Sequence, residues 1–433
     1  MRGSSREHGG KFAASRMGWP SRRWLYRSGL TLSVVYCLAG GVLGLWSSSE
    51  NGVDLAVCYV AGATALRGSS PYNHTELTNT RRALDPAVAA KPSYPFAYPP
   101  SAIPACVLLS LLPWEGAQAL WKLLNLAFLI GSVLLTFRIF SGLQFTEGDR
   151  YLAWSFAFIF SPTVSVLLVG QSSLFVLFTA LVAIVLYHLR KPWIAGFSLA
   201  LALTKPHIAF PLVFLLLFRR QFKITLIAFV TFVALAILGL YIGHSGLDSY
   251  LQGLTRYASW NSPASPHLVG IQNLATGVFG LSASVANMLS AICGLLLLGI
   301  TVFLDSKDSY RDRTEDVFPL FLLVSVLAFG AHSYDLVFLI PVCIWAIGKR
   351  REDRRYMPIV VLCFILTLPL RAITMAYERL LSHAMPPPVF RLAIEPFRSW
   401  IVLIVFVLVL YLTYERIVQE RPGGRVRSRI SLT

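Results

Sequence analysis

The chain has 433 residues, 55% of them hydrophobic and only 14% charged, with a mean hydropathy of +0.63. This composition excludes a soluble globular protein, because apolar runs of the roughly 20 residues needed to cross a bilayer recur from end to end. Lys and Arg number 38 against 21 Asp and Glu, a formal net charge of +17, but the basic residues cluster in short stretches between apolar runs. That is the positive-inside pattern, which reports topology, so no nucleic-acid partner is implied.

The runs are too continuous for the alternation of a membrane barrel, so the expected class is an all-α polytopic membrane protein. Residues 1–28 form a basic cytoplasmic tail (Arg2, Arg6, Lys11, Arg16, Arg22, Arg23, Arg27) by the charge rule. The apolar run 29–47 reads as a retained first helix, since no clear small-residue cleavage site precedes Ser48 and more spans follow. Residues 29–418 make one transmembrane domain, and 419–433 a second basic cytoplasmic tail with Arg421, Arg425, Arg427 and Arg429. The six cysteines have no metal-ligand spacing and no obvious pairing. They read as small buried hydrophobes, with no disulfide framework.

Residues 49–116 form the first extracytoplasmic segment. Asp54 is placed to cap a helix over 55–67 that Gly68 ends in the left-handed conformation. Residues 101–113, short and carrying Pro104 and Pro113, fit an interfacial helix better than a crossing. A helix follows at 117–138. Helices 151–168 and 173–188 then form a hairpin that turns outside at Gly170-Gln171-Ser172-Ser173.

The basic clusters His188–Pro192 and Arg219–Lys223 both read as cytoplasmic, leaving too few residues between them for two full crossings. The run 193–218 is therefore expected to be two half-length helices turning mid-membrane at Thr204-Lys205-Pro206. Such broken backbone is tolerated only where protein or a water-filled cavity covers it. A helix at 224–242 leads to a second outer segment, 244–281, holding Tyr257, Trp260, His267, Gln272 and Asn273. Helix 283–304 descends to a charged loop. Helices 317–331 and 336–347 meet outside at His332-Ser333-Tyr334-Asp335. Helix 358–375, a third outer segment 376–397 and a last helix 399–418 complete the chain. No internal repeat is visible, which disfavours a transporter built from inverted repeats.

Asp54 has two readings: a helix cap, or a general base at a membrane surface. They oppose each other, because the positive end of a helix lowers a carboxyl pKa and weakens the base. Lys205, in an apolar run, is costly unless paired or hydrated. It is either a surface lysine or a cation awaiting a phosphate, with His207 as helper. The turns at Gln171 and at His332–Asp335 are polar islands of the kind ordinary loops also provide. Tyr72, Tyr94, Phe96, Tyr98, Trp114 and Trp121 suit an interfacial aromatic belt or stacking on sugar rings. Asn73-His74-Thr75 matches a glycosylation sequon. There is no Walker motif, dinucleotide fingerprint, HExxH or Asp-x-Asp pair, so a metal-bound nucleotide-sugar donor is not supported.

Asp54-Leu55-Ala56-Val57-Cys58-Tyr59-Val60-Ala61, then Ala65-Leu66-Arg67-Gly68, Pro71-Tyr72 and Phe96-Ala97-Tyr98-Pro99-Pro100, resemble the opening signature of glycosyltransferase family 87. The likeness continues in Gly170-Gln171, in Arg190-Lys191-Pro192-Trp193-Ile194-Ala195-Gly196, in Leu203-Thr204-Lys205-Pro206 and in the His332–Asp335 turn. These are polyprenyl-phosphate-mannose-dependent mannosyltransferases. The resemblance implies a C-type glycosyltransferase bundle of about 10–12 transmembrane or half-membrane helices, given the span length of a bilayer. It also implies inverting transfer of a hexose, mannose first, from a polyprenyl-phosphate sugar to a lipid or glycan acceptor outside the cell membrane, without cofactor or metal. Asp54 takes the place of the base. Gln171, Lys205, His332 and Asp335 take the places of phosphate and sugar contacts. Tyr59, Tyr72, Tyr98, His207 and Tyr334 are further candidate substrate-binding residues of this chain. The chain departs from the family where Cys58-Tyr59 replaces two tyrosines, where Ser173 replaces an Asn, and where His-Ser-Tyr-Asp replaces a Trp-Asp-His-like turn. The rival readings are a transporter or flippase of lipid-linked sugars, and a structural subunit with no site.

Overall fold

The computed structural model describes residues 19–45, 47, 50–260, 268–307, 316–328, 330–368 and 396–419. The tail 1–18, His267, most of the loop after 307, the third outer segment before 396 and the tail beyond 419 lie outside the described residues.

Helix α1 (Trp19–Cys37) runs into a π-helical turn, Leu38–Val42. Then come α2 (Val53–Leu66), α3 (His74–Arg82), α4 (Pro86–Ala89), α5 (Ile103–Ser110) and α6 (Trp114–Ile139). Helices α7 (Glu147–Ile159), α8 (Ser161–Val169), α9 (Ser173–His188), α10 (Pro192–Ala202), α11 (Pro206–Phe218) and α12 (Phe222–Ile242) follow. After α13 (Leu247–Trp260), strand β1 (Leu268–Val269) precedes α14 (Ile271–Gly277) and α15 (Ala283–Lys307). Then α16 (Phe318–Leu327), β2 (Ala331–His332), a 3-10 turn Ser333–Phe338, α17 (Leu339–Lys349), α18 (Met357–Ile365) and α19 (Phe397–Gln419) close the order.

Among the described residues, four helices are long and apolar enough to cross a membrane: Trp114–Ile139, Phe222–Ile242, Ala283–Lys307 and Phe397–Val418. The pair α7 and α8 adds a fifth crossing if counted as one bent span, with a 45° bend. The all-α, multi-pass class holds. Residues 151–168, expected as one helix, are broken at Phe160, where Pro162 in the first turn of α8 supplies no N–H to continue the ladder.

Residues 19–28 also depart from expectation. They belong to α1 because partners on α7 hold them: Tyr26 stacks on Tyr151 with ring centroids 6.3 Å apart, and Arg23 pairs with Glu147 at 3.1 Å. Helices α16 and α17 are buried on every side and form the centre of the larger core, as apolar helices without a polar face must.

The run 193–218 is interrupted at Leu203–Lys205. Arg219, just past α11, lies 2.5 Å from Asp305 near the end of α15 and against Tyr187 near the end of α9. Helix α11 therefore returns to the end of the bundle from which α10 set out, and the two are a re-entrant pair with Lys205 at the apex. Helix α10 packs between α9 and α12, and α11 packs on α16.

Two features seat α2. The Gly52 N–H donates to the Leu168 carbonyl at 2.8 Å. Gly170, at φ 76°, comes so close to Leu55 that a Cβ there would lie 2.7 Å from the Leu55 Cβ. At the other side of α2, a Cβ on Gly62 would sit 2.2 Å from the Cys106 carbonyl oxygen, so glycine permits the close approach of α5. Cys58 and Cys106 are joined there in a disulfide. This corrects the reading of all the cysteines as unpaired hydrophobes. The two are 48 positions apart, and only the packing of α2 on α5 brings them together.

Candidate active site

Asp54 is not a cap. Gly52, at φ 72°, occupies the N-cap of α2, which leaves Asp54 in the first turn with its side chain turned to other partners. Its Oδ2 accepts a hydrogen bond from Gln171 Nε2 at 3.0 Å. Gln171 is buried, and its amide is oriented by its oxygen, which accepts from the Tyr98 hydroxyl, from the Ser172 N–H at 2.7 Å and from Ser172 Oγ at 3.1 Å. With three donors on Oε1, the NH2 group has to face Asp54. Asp54 Oδ1 has no hydrogen-bond partner among the described residues. Burial pushes the Asp54 carboxyl up to about 6, while Lys205 and the Gln171 bond pull it down and Asp335 adds to the rise. A carboxylate in this range is matched to proton abstraction near neutral pH.

Lys205 and Asp335 form the second cluster. Lys205 Nζ lies 2.9 Å from Asp335 Oδ1 and 2.9 Å from Ser173 Oγ. Ser173 Oγ in turn donates to Asp335 Oδ1 at 2.6 Å, and the His332 N–H donates to Asp335 Oδ2 at 3.0 Å. The charged groups of both side chains are almost fully withdrawn from solvent, at 6% and 0% exposure. Breaking such a pair from one side costs about 3–5 kcal/mol, because the other charge is left buried and uncompensated. The broken backbone at Leu203–Lys205 brings the ammonium to this place.

The aromatic wall follows from the same turn. Lys205 Nζ sits 4.7 Å from the centroid of the Tyr334 ring. Tyr334 stacks on His332 at 5.0 Å, and His332 Nε2 is 3.2 Å from the Tyr257 hydroxyl. His207, in the first turn of α11, lies close enough to feel the charges of Asp335 and Lys205. Asp54, Tyr98, His207, Tyr257, His332 and Tyr334 are each half-buried. They form the half-buried part of the candidate site, next to the buried ion pair.

The structure thus brings together Asp54, Tyr98, Gln171, Lys205, His207, His332, Tyr334 and Asp335. Two expected site residues stand apart. Tyr59 is buried, donates its hydroxyl to the Leu112 carbonyl at 2.8 Å and packs edge-on against Trp114. Tyr72 is buried, donates to the Tyr98 carbonyl at 3.0 Å and packs on Phe96 and Tyr250. Tyr72 supports the segment that carries Tyr98, and Tyr59 supports the turn between α5 and α6. Phe96 and Trp114 are likewise core residues rather than a belt, whereas Tyr94 is exposed. Asn73 of the sequon caps α3, accepting from the Thr75 N–H at 3.0 Å. Among the described residues no group of His, Cys, Asp and Glu is arranged to hold a metal ion.

A profile of glycosyltransferase family 87 matches residues 96–369, more than half of the chain. The chain belongs to glycosyltransferase family 87. The match takes in Tyr98, Gln171, Lys205, His207 and the His332–Asp335 turn, while Asp54 precedes it. No curated protein and no solved structure matches the chain. A member of this family is a glycosyltransferase, with a sugar donor and an acceptor to accommodate.

Sequence reasoning left out the β1–β2 ribbon, which pairs Leu268 with His332 and Val269 with Ala331, and the role of Ser172. Strands of two residues carry no periodicity to detect. It noted Tyr257 only as a member of a loop.

Proposed function

We propose that the protein transfers a hexose, mannose first, from a polyprenyl-phosphate sugar to a hydroxyl of a lipid or glycan acceptor, with inversion and with Asp54 as general base. The observation that carries this reading is the state of Asp54. One carboxylate oxygen is committed to Gln171 and the other has no partner among the described residues, half-buried near the buried Lys205–Asp335 pair. In the reaction, the acceptor O–H gives its proton to Asp54 Oδ1 as the oxygen attacks the anomeric carbon. The bond from that carbon to the phosphate oxygen breaks, and polyprenyl phosphate leaves with the electron pair. Tyr98, Tyr334 and His332 offer ring faces and polar edges to the sugar.

The extracytoplasmic placement of this site, with both termini cytoplasmic, draws on two features. The basic residues Lys349, Arg350, Arg351, Arg354 and Arg355 sit at the opposite end of α17 from His332, where the positive-inside rule wants them. A disulfide beside Asp54 fits an oxidising compartment. A transporter that uses Lys205 as a mobile midplane charge loses support, because that charge is already neutralised by Asp335.

The test is Asp54→Asn in purified protein reconstituted in nanodiscs, assayed with polyprenyl-phosphate mannose and other polyprenyl-phosphate hexoses plus an acceptor lipid extract. Transfer should fall by about 10³-fold or more, on the scale of lost base catalysis, with an unchanged melting temperature. Absence of transfer by the wild-type protein from every such donor overturns the reading.

A further inference from the structure

A lipid-phosphate donor brings negative charge, and the leaving group accumulates more of it as the bond to the sugar breaks. A buried anion of this kind has to be met by a cation with spare donors. Lys205 is poorly suited: its ammonium is held by Asp335 and Ser173 and lies over the Tyr334 ring. Among the described residues the formal charges grouped at the site are Asp54 and Asp335 against Lys205, a deficit that a phosphate deepens.

Arg398 stands in the opposite condition. It lies in the first turn of α19, a helix long and apolar enough to span the membrane, and is half-buried. Among the described residues it makes no hydrogen bond and no ion pair, and no carboxylate acts on it. A guanidinium has five N–H donors and cannot shed its charge. Held half-buried at the end of a spanning helix with nothing to accept from it, such a group is costly and marks a ligand path.

Its backbone is tied to the β1–β2 ribbon. The next residue, Ser399, is fully buried and accepts from the Gly270 N–H at 3.1 Å while donating to Asn273 Oδ1 at 3.0 Å. Gly270 follows directly on β1, whose Leu268 pairs with His332. Arg398 is therefore tied through one hydrogen bond to the ribbon that carries His332. Asp54 stands on α2, which is seated on α8, and α8 packs on the turn that follows the ribbon.

We propose that Arg398 is the anchor for the phosphate group of the lipid-linked sugar donor, with its guanidinium engaging two non-bridging phosphate oxygens. Two parallel charge-assisted hydrogen bonds give both affinity and orientation. Lys205 stays paired with Asp335. As the carbon–oxygen bond to the sugar breaks, the pair of electrons passes to the phosphate, and Arg398 stabilises the added charge. This inference rests on the glycosyltransferase reading above.

The experiment uses the full chain in nanodiscs and a short-chain polyprenyl phosphate as the binding probe, with Arg398→Gln and Arg398→Lys as variants. Arg398→Gln should weaken polyprenyl phosphate binding by about tenfold or more and raise the donor KM to match, the effect of losing a bidentate charged contact. The acceptor KM should stay within about twofold, and Arg398→Lys, which restores charge without the fork, should recover part of the loss. Gel filtration identifies folded protein, and Arg398→Lys serves if Arg398→Gln does not fold. Unchanged polyprenyl phosphate affinity in a folded variant overturns the assignment while leaving the proposed function standing. Equal competition by phosphatidylglycerol or inorganic phosphate, with an unmoved donor KM, also overturns it and makes Arg398 a general anion site. If the wild-type protein binds no polyprenyl phosphate, the donor class falls first and this assignment with it.

Discussion

Gln171→Glu tests whether Asp54 acts as a base whose basicity its neighbour sets. The change keeps an oxygen to accept from Tyr98 and Ser172 and removes the N–H that Asp54 Oδ2 accepts at 3.0 Å. A hydrogen bond to a charged group contributes about 1.5–3 kcal/mol. Since about 1.36 kcal/mol corresponds to one pH unit, its loss raises the Asp54 pKa by about 1–2. The new carboxylate, a like charge at close range, pushes the same way. Burial already holds the Asp54 carboxyl at about 6, so in the variant it titrates at about 7–8 or above.

The sign is fixed by the chemistry. A general base works only when ionised, so kcat/KM rises as pH climbs through the pKa of Asp54 in the free enzyme. Initial rates of labelled hexose transfer, measured from about pH 5 to about pH 9.5, should show the acid limb moving upward by about 1–2 pH units. Activity at pH of about 6 should drop by about tenfold or more, whereas the alkaline plateau should be lowered only modestly, because the base itself remains. An acid limb that stays in place in folded protein refutes the assignment of Asp54 as the titrating base. A loss that is uniform across the whole range makes Gln171 a substrate contact instead of a positioning residue. Gln171→Met leaves Tyr98 and the Ser172 N–H without their acceptor, so it should also lower stability by about 1–3 kcal/mol.

Asp335→Asn should destabilise the protein by about 3–5 kcal/mol, read as a lower unfolding midpoint in detergent, because it leaves the Lys205 ammonium buried without its counter-charge. A near-normal midpoint would mean that water reaches Lys205. The double change Lys205→Met with Asp335→Leu should recover much of that loss in stability without restoring transfer. Cys58→Ala with Cys106→Ala should cost about 2–4 kcal/mol by releasing the α2–α5 link, and the intact protein should run at the same gel position reduced and oxidised only if the bond is absent. Gly62→Val should push α5 away from α2 and cost about 1–3 kcal/mol, since a Cβ there already meets the Cys106 carbonyl at 2.2 Å; unchanged stability would show that α5 shifts freely.

Much of the site was legible in the chain because membrane proteins punish stray polarity. Lys205 stood out in an apolar run for the same reason that it needs Asp335: an ammonium there must be paired. The break at Leu203–Lys205 followed from length together with the charge rule, since two cytoplasmic basic clusters so close together leave no room for two crossings. Arg398 offered the same signal, an arginine entering the last apolar run, but one charge at the end of a span looks like any interfacial flank. Tyr59 and Tyr72 looked like ligand residues because an aromatic ring reads alike whether it faces a sugar or a core. Their hydroxyls turn out to bind backbone carbonyls.

What the sequence determined by itself is the class and the division into apolar runs and basic ends, because both follow from the cost of moving residues between water and lipid. Hydropathy could not say which polar residues would be partners. Gln171 reaches Asp54 across 117 positions, Ser173 reaches Asp335 across 162, and Lys205 reaches Asp335 across 130. Those pairings depend on α2 seating on the end of α8, on the turn before α9, and on the apex between α10 and α11. Directional hydrogen bonds of this kind act over about 3 Å, a distance that only the packed helices set.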